Sequence, residues 1–424
     1  MKMDRTKCNN IISNVVCPVE TEQVVNKLQR TKFSVFIDET SDICNKKWMT
    51  FFVRYIDPET LNILVKLMNI DAKDCSATKL FNAFRNDLWT LQIPFTNIIA
   101  LSCDNASVMT EKHLSFQSKL KEMCKHLQTF PCPCHSAALA AHAACTKIPS
   151  YCEEFMKRIS SYINKSPKRT AIFHEFSNYF VDESRKILKL ADTRWLSRYT
   201  CIKRLLQLWD AIKSYLEKMV IKDKTKSGEN LLFMMYDIKM KAYFLFQKYI
   251  LKFFNAFNVF FQATETRIHM LHMKSANFLM QICQNFIKQE YLKDITTNIN
   301  FAQKEIHKDI NDIVVGEECE EYLNNVVTEV DTVTSIRQNC LQFYETAAQE
   351  IRKRLPITNI FLKRLEVFAP STALFDNNRE TSFHHIIYVA KSLGDFDEEC
   401  LKKEWLTLST DFTANEKESI KIKF

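Results

Sequence analysis

The chain has 424 residues, 46% of them hydrophobic and 25% charged, with a net charge of +8, a balance that belongs to a folded protein large enough for two or three domains. Only three glycines occur, Gly228, Gly316 and Gly394, too scattered for a GxGxxG or GxxxxGKS/T phosphate cradle, so kinases, P-loop NTPases and Rossmann dehydrogenases are excluded and no small-molecule cofactor is expected. No apolar run approaches the roughly 18 residues of a membrane span, no apolar signal segment follows Met1, and an odd set of fifteen cysteines then fits a reducing compartment with mostly buried thiols.

Charge is unevenly placed. Residues 157–204 carry 12 Lys/Arg against 4 Asp/Glu, whereas 309–331 carries 8 acids and no Lys or Arg. The basic stretch reads either as a phosphate-backbone footprint, with Lys168, Arg169 and Arg198 as DNA contacts, or as solvated helix faces.

In chain order, residues 1–30 read as a helical lead-in. Phe33–Asp38, Trp48–Tyr55 and Leu61–Ile70 are β-branched and aromatic runs separated by turn residues such as Asp57 and Pro58, which predicts an antiparallel meander. Ser76–Leu91 has a serine cap and apolar residues at a helical period, Asn97–Cys103 is again a strand, Ala106–His126 a helix, and Gln128–Phe130 a short last strand. From about residue 134 the pattern is helical: 135–146, 149–164, 168–181, 195–219, 229–262, 266–290 and 334–354. Residues 222–230 form a polar break, and 305–332 is the best linker candidate. The phenylalanine-rich run between Phe244 and Phe261 matches a helix buried on more than one side, with a partner or membrane groove as the alternative.

The order β-β-β-α-β-α-β is the start of an RNase H-like α/β fold, a mixed sheet here followed by a large all-α insertion domain. That fold sets the first and fourth strands side by side. Asp38 and Asp104 would then converge at the strand ends, where paired carboxylates suit Mg²⁺ or Mn²⁺ and phosphoryl transfer. Acids at strand ends also serve as caps and turn residues.

Four blocks carry a resemblance. Phe36–Ile43 (FIDETSDI) resembles the "IDESTDI" block of hAT-superfamily transposases, and Asn97–Met109 (NIIALSCDNASVM) resembles their "SDGASNM" block. Cys132–Leu139 (CPCHSAAL) is similar to their Cys-x-x-His block, and Leu190–Ser197 (LADTRWLS) to their Arg-Trp block. The resemblance runs from about residue 20 onward and is nearest to the domesticated or zinc-finger-associated hAT group. It implies a nuclear, DNA-binding, transposase-like protein in which Asp38 and Asp104 are the first two catalytic, metal-binding acids. Asp42 is a lesser alternative for the first. Trp195 would stack on DNA bases with Arg194 beside it, and Cys132 and His135 would brace the active site. Zinc is not expected there, because a single residue separates Cys132 from Cys134.

Two departures matter. Asn105 stands where the family has glycine. The block that supplies the third acid, of the kind "SSASVERSFS", is not found before Phe424, and Glu265 and Glu366 sit in no matching motif. The dimerisation segment of the family overlaps that block. The expectation is therefore a core over 31–200, an insertion over 201–424, and a DNA-binding protein that is catalytically incomplete as this chain alone. Its alternatives are an active strand-transfer enzyme, if the chain is a fragment, and a domesticated interaction or chromatin module.

Overall fold

A computed structural model of the chain describes residues 4–41, 47–70, 76–104, 107–110, 114–180, 186–190 and 196–423, other than 224, 264, 298 and 328. The chain divides into two compact units, Met1–His135 with Arg364–Phe424, and Ser136–Lys363. The first division falls well before residue 200, where the strand-to-helix change in the sequence was expected to end the core, and the last sixty or so residues return to the unit that contains the sheet.

In the sheet-bearing unit the helices Arg5–Ile11 and Cys17–Leu28 lead in, and only the second buries side chains, Val24, Val25 and Leu28. Strands β1 (Phe33–Ser41), β2 (Lys47–Ile56) and β3 (Ile63–Ile70) follow as the expected meander. The β2–β3 turn is fixed by Asp57. Its carboxylate accepts from the Glu59 N–H at 3.0 Å and pairs with Lys27 Nζ at 2.5 Å, while Leu61 takes a left-handed φ of 56°. Strands β4 (Ile98–Cys103) and β5 (Gln128–Pro131) run parallel to β1, giving the order β3-β2-β1-β4-β5.

Strict alternation builds the core. Phe33, Val35 and Ile37 of β1 and Met49, Phe51, Val53 and Tyr55 of β2 turn to one face. There they meet Leu80, Phe81, Phe84 and Leu88 of helix Ala77–Thr90, together with Phe116 and Leu120 of helix Phe116–Met123. Phe51 stacks on Phe84 with ring centroids 5.2 Å apart, and Phe116 meets Phe84 edge-on at 5.3 Å. The single helix expected over 106–126 is two, Ser107–Thr110 and Phe116–Met123. The second starts at a capping box in which Ser115 and Ser118 exchange side-chain and backbone bonds.

Residues 364–424 contribute a small cluster of their own. Arg379 lies over Trp405, its guanidinium 4.7 Å from the centre of the ring and donating to Trp405 O at 2.8 Å, while the indole N–H donates back to Arg379 O at 3.0 Å. The Gln128 amide of β5 donates to Ser392 O at 3.0 Å, which ties the segment to the sheet.

The second unit is helical. Its long helices are Ile238–Phe261 and Val330–Arg354, and its core holds Phe244, Phe246, Phe254, Phe286, Phe343 and Tyr344. The runs expected as single helices over 195–219 and 229–262 are each broken in two. Leu196–Gln207 is followed by Trp209–Asp223, and Lys226–Tyr236 by Ile238–Phe261. At the second break Asp237 starts a new helix by accepting from the Lys239 N–H at 2.9 Å.

The expected linker at 305–332 is instead a packed part of this unit. Ile313, Val315, Cys319, Leu323 and Val327 are buried in it. Its acids face basic partners, Glu318 pairing with Lys248 at 2.6 Å and Glu320 with the buried Arg337. An acidic composition marked one face of helix Glu317–Asn325, not a solvated connection. No helix among the described residues is long and apolar enough to cross a membrane.

Candidate functional site

Strand register places the candidate acids. Parallel pairing sets Ile37 of β1 opposite Cys103 of β4, and Cys103 opposite Pro131 of β5. The next residues, Asp38 inside β1 and Asp104 and Cys132 just past the ends of β4 and β5, thus stand in one row across three neighbouring strands. Strand β1 runs on to Ser41, beyond the end expected at Asp38. The Cys132 N–H donates to Cys103 O at 3.1 Å, which extends the ladder by one bond. With neighbouring strands about 4.8 Å apart, Asp38 and Asp104 come side by side although a meander, a helix and a strand separate them in the chain.

Asp38 belongs to the sheet face opposite the buried Ile37 and is exposed, and Asp104 is half-buried. The backbone of Asp38 is held from β2, since Thr50 Oγ1 donates to Asp38 O at 2.8 Å.

The neighbouring thiols record the charge of this row. Burial pushes the Cys103 thiol up to about 12, and the Asp104 carboxylate and Cys132 push in the same direction. Cys132 moves the opposite way, below the ordinary thiol range. The largest cause is a hydrogen bond donated by the Cys134 thiol. Burial opposes it, the backbone N–H groups of His135 and Cys134 reinforce it, and the Asp38 carboxylate opposes it. Cys134, as the donor, is held protonated well above the usual thiol range. Helix Pro133–Cys145 supplies this geometry, because proline at its first position and free N–H groups in its first turn leave Cys132 as the natural acceptor.

Two carboxylates from neighbouring positions are the oxygen donors that one Mg²⁺ or Mn²⁺ ion would call for. Such an ion binds through one or two carboxylates and fills its remaining positions with water and phosphate oxygens. Among the described residues no group of three or more His, Cys, Asp or Glu side chains is set to hold a metal. The two aspartates would supply oxygen ligands and positive charge would gather there; a complete two-metal clamp is not built from these residues.

Asp42, Asn105, Arg194 and Trp195 lie outside the described residues. Lys168 is exposed on helix Pro167–Phe180, and Arg169 lies with its guanidinium 4.0 Å from the centre of the Tyr162 ring.

Arg198 does not fit a phosphate contact. It is only 4% exposed, and its guanidinium pairs with Glu153 of helix Ser150–Asn164 and interacts with Cys145. Sequence reading missed Glu153 as its partner, because the two are brought together by helix packing and not by spacing. Glu265 belongs to the second unit and pairs with Arg267 at 3.2 Å, while Glu366 lies in the sheet-bearing unit in the turn Glu366–Phe368.

Comparison with known families gives a match. The family model described as DUF4371: ZMYM1/FAM200, RNase-like domain, matches residues 2–114. That stretch holds the lead-in helices, strands β1 to β4, Asp38 and Asp104. Over a little more than a quarter of its length, then, the chain is similar to an RNase-like domain, here an α/β core with a mixed five-stranded sheet in a chain that is otherwise largely helical.

Proposed function

We propose that this chain is a transposase-like, nucleic-acid-binding protein of the hAT kind, nuclear in location, in which Asp38 and Asp104 hold a single divalent cation against DNA phosphate but do not cut strands by themselves. One observation supports it most: the parallel register of β1 with β4 that sets Asp38 beside Asp104. The RNase-like match over residues 2–114 and the four sequence blocks point the same way.

The chemistry follows from charge and position. Phosphoryl transfer depends almost wholly on positioning and on charge stabilisation. Two carboxylates are enough to recruit a hydrated cation, and they leave its geometry loosely defined. Affinity for DNA would come instead from exposed Lys and Arg of the 157–204 stretch, Lys168 among them, and from Arg194 and Trp195 of the Arg-Trp block. Self-association belongs to the same reading.

The decisive experiment incubates the full chain with supercoiled plasmid and Mn²⁺ and follows both nicking and gel shift. The expected result is a gel shift with no more nicking than an Asp38→Asn/Asp104→Asn double variant gives. Mn²⁺ binding, read by calorimetry or electron paramagnetic resonance, should weaken at least about tenfold in either single variant. Nicking that disappears in the aspartate variants would make the chain an active enzyme. Mn²⁺ binding indifferent to both aspartates would remove the metal site.

A further inference from the structure

The helical unit holds a cavity of about 480 Å³. It is lined by Gln247 of helix Ile238–Phe261, by the end of helix Pro133–Cys145 and by the start of helix Ser150–Asn164. We propose that this cavity binds a free adenine nucleoside, with the Gln247 side-chain amide reading the amino group of the base and the ring nitrogen beside it.

Gln247 is what carries this. It is 1% exposed, and its Oε1 finds no hydrogen-bond partner among the described residues. It ends the buried run Ala242–Gln247 on a helix packed on more than one side. A buried acceptor left unpaired is costly, so a core normally supplies its donor. Asn285 of the same unit shows the usual arrangement, accepting from the Tyr249 hydroxyl at 2.7 Å and donating to Gln281 O at 2.6 Å. Gln247 lacks such an arrangement and stands at the wall of a cavity.

Size and charge narrow the ligand. Small-ligand sites run from roughly 300 to 1,000 Å³, and this cavity falls within that range. Buried Cys145, Ile148 and Cys152 give it an apolar wall. Its charged groups are already matched in pairs. Glu153 binds Arg198 and, at 2.9 Å, Lys157, while Glu154 binds Arg158 at 3.0 Å. Charges matched within the protein suit an uncharged ligand, and such a ligand needs no glycine-rich phosphate cradle.

A glutamine amide meets adenine through two bonds, the oxygen accepting from the amino N–H and the amide nitrogen donating to a ring nitrogen. The oxygen is the Gln247 atom that lacks a partner, and the amino group is the donor it calls for. Adenine also carries no carbonyl oxygen, so none is stranded against Ile148 and the two thiols. The site is independent of the nucleic-acid reading, since it would take the free nucleoside whether or not the chain binds DNA or metal.

The test titrates adenosine into the full chain by calorimetry, with no divalent metal present. Saturable one-to-one binding is expected. N6,N6-dimethyladenosine has lost the amino N–H donors and should bind at least about tenfold more weakly. Gln247→Met keeps the side-chain volume and removes the amide. It should weaken adenosine binding at least about tenfold yet melt at or above the wild-type temperature, because no unpaired acceptor remains. Ser150 is an exposed residue of the cavity lining, and Ser150→Trp should obstruct binding. In wild type, 8-azidoadenosine should photolabel the tryptic peptides Ile148–Lys157 or Ala242–Lys248, in competition with adenosine. Should Gln247→Met not fold, the labelling and Ser150→Trp decide the matter. No saturable binding, equal affinity for the dimethylated nucleoside, unchanged affinity in a folded Gln247→Met, or label confined to other peptides overturns the proposal.

Discussion

At the residue scale the buried Arg198 shows how one side chain changes meaning with its surroundings. Burial pushes the Glu153 carboxyl up, but hydrogen bonds from Lys157 and Arg198 outweigh it, and the net shift is below the ordinary value of 4.5. A carboxylate held low in the folded state contributes stability above its unfolded pKa and loses that contribution as pH falls through the folded one. Wild type should therefore lose stability on acidification below about pH 4.5, and Glu153→Gln should flatten that part of a melting-temperature profile. At neutral pH the same variant leaves a buried guanidinium without its carboxylate and should cost about 1–3 kcal/mol in a denaturant titration, the carboxylate being partly solvated. DNA binding separates the arginine from its exposed neighbours. Lys168→Ala should lower the salt slope of DNA affinity by about one, and Arg198→Lys should leave that slope unchanged.

At the element scale two features are held by single residues. Gly316 has a φ of 92° and begins helix Glu317–Asn325, and a Cβ there would lie 2.6 Å from Tyr249 Cγ. Gly316→Ala combines a left-handed backbone with overpacking and should cost about 2–4 kcal/mol, seen as a lower midpoint in urea at an unchanged slope. Asp237 divides what the hydrophobic pattern presents as one helix, and its side chain caps the second half. Asp237→Ala should cost about 1 kcal/mol, and Asp237→Asn much less, because an amide oxygen still accepts the Lys239 N–H. The same two positions show why element boundaries were the least readable part of the sequence. Periodicity reports which side of a helix is buried, and it continues across a cap when both helices face the same core.

At the scale of the whole molecule, the sheet-bearing unit is assembled from the two ends of the chain. Arg379, Trp405 and Ser392 belong to it although the second unit lies between them and β5 in sequence. Trp405→Ala should remove the platform under Arg379 and cost about 3–5 kcal/mol. In hydrogen exchange its effect should extend to β5 through the Gln128–Ser392 bond, and a response confined to residues 364–424 would show that the segment stands apart from the sheet. A boundary near residue 200 looked reasonable because the strands end and only helices follow. Composition cannot say which of those helices return, since contacts between distant segments leave no periodic trace.

By itself the sequence determined the five strands and their succession along the chain, because alternation and turn residues are local properties written in consecutive residues. It did not determine where β1 ends, since the strand runs past Asp38 to Ser41. Only the tertiary structure decided that β1 and β4 pair with Ile37 opposite Cys103, that Cys132 completes the row beside Asp104, and that Arg198 is bound to Glu153 inside a helical core. The reason is physical. A strand or a cap is selected by neighbours a few residues away, whereas register and ion-pair partners are selected by packing between segments far apart in the chain, where sterics and burial are settled jointly.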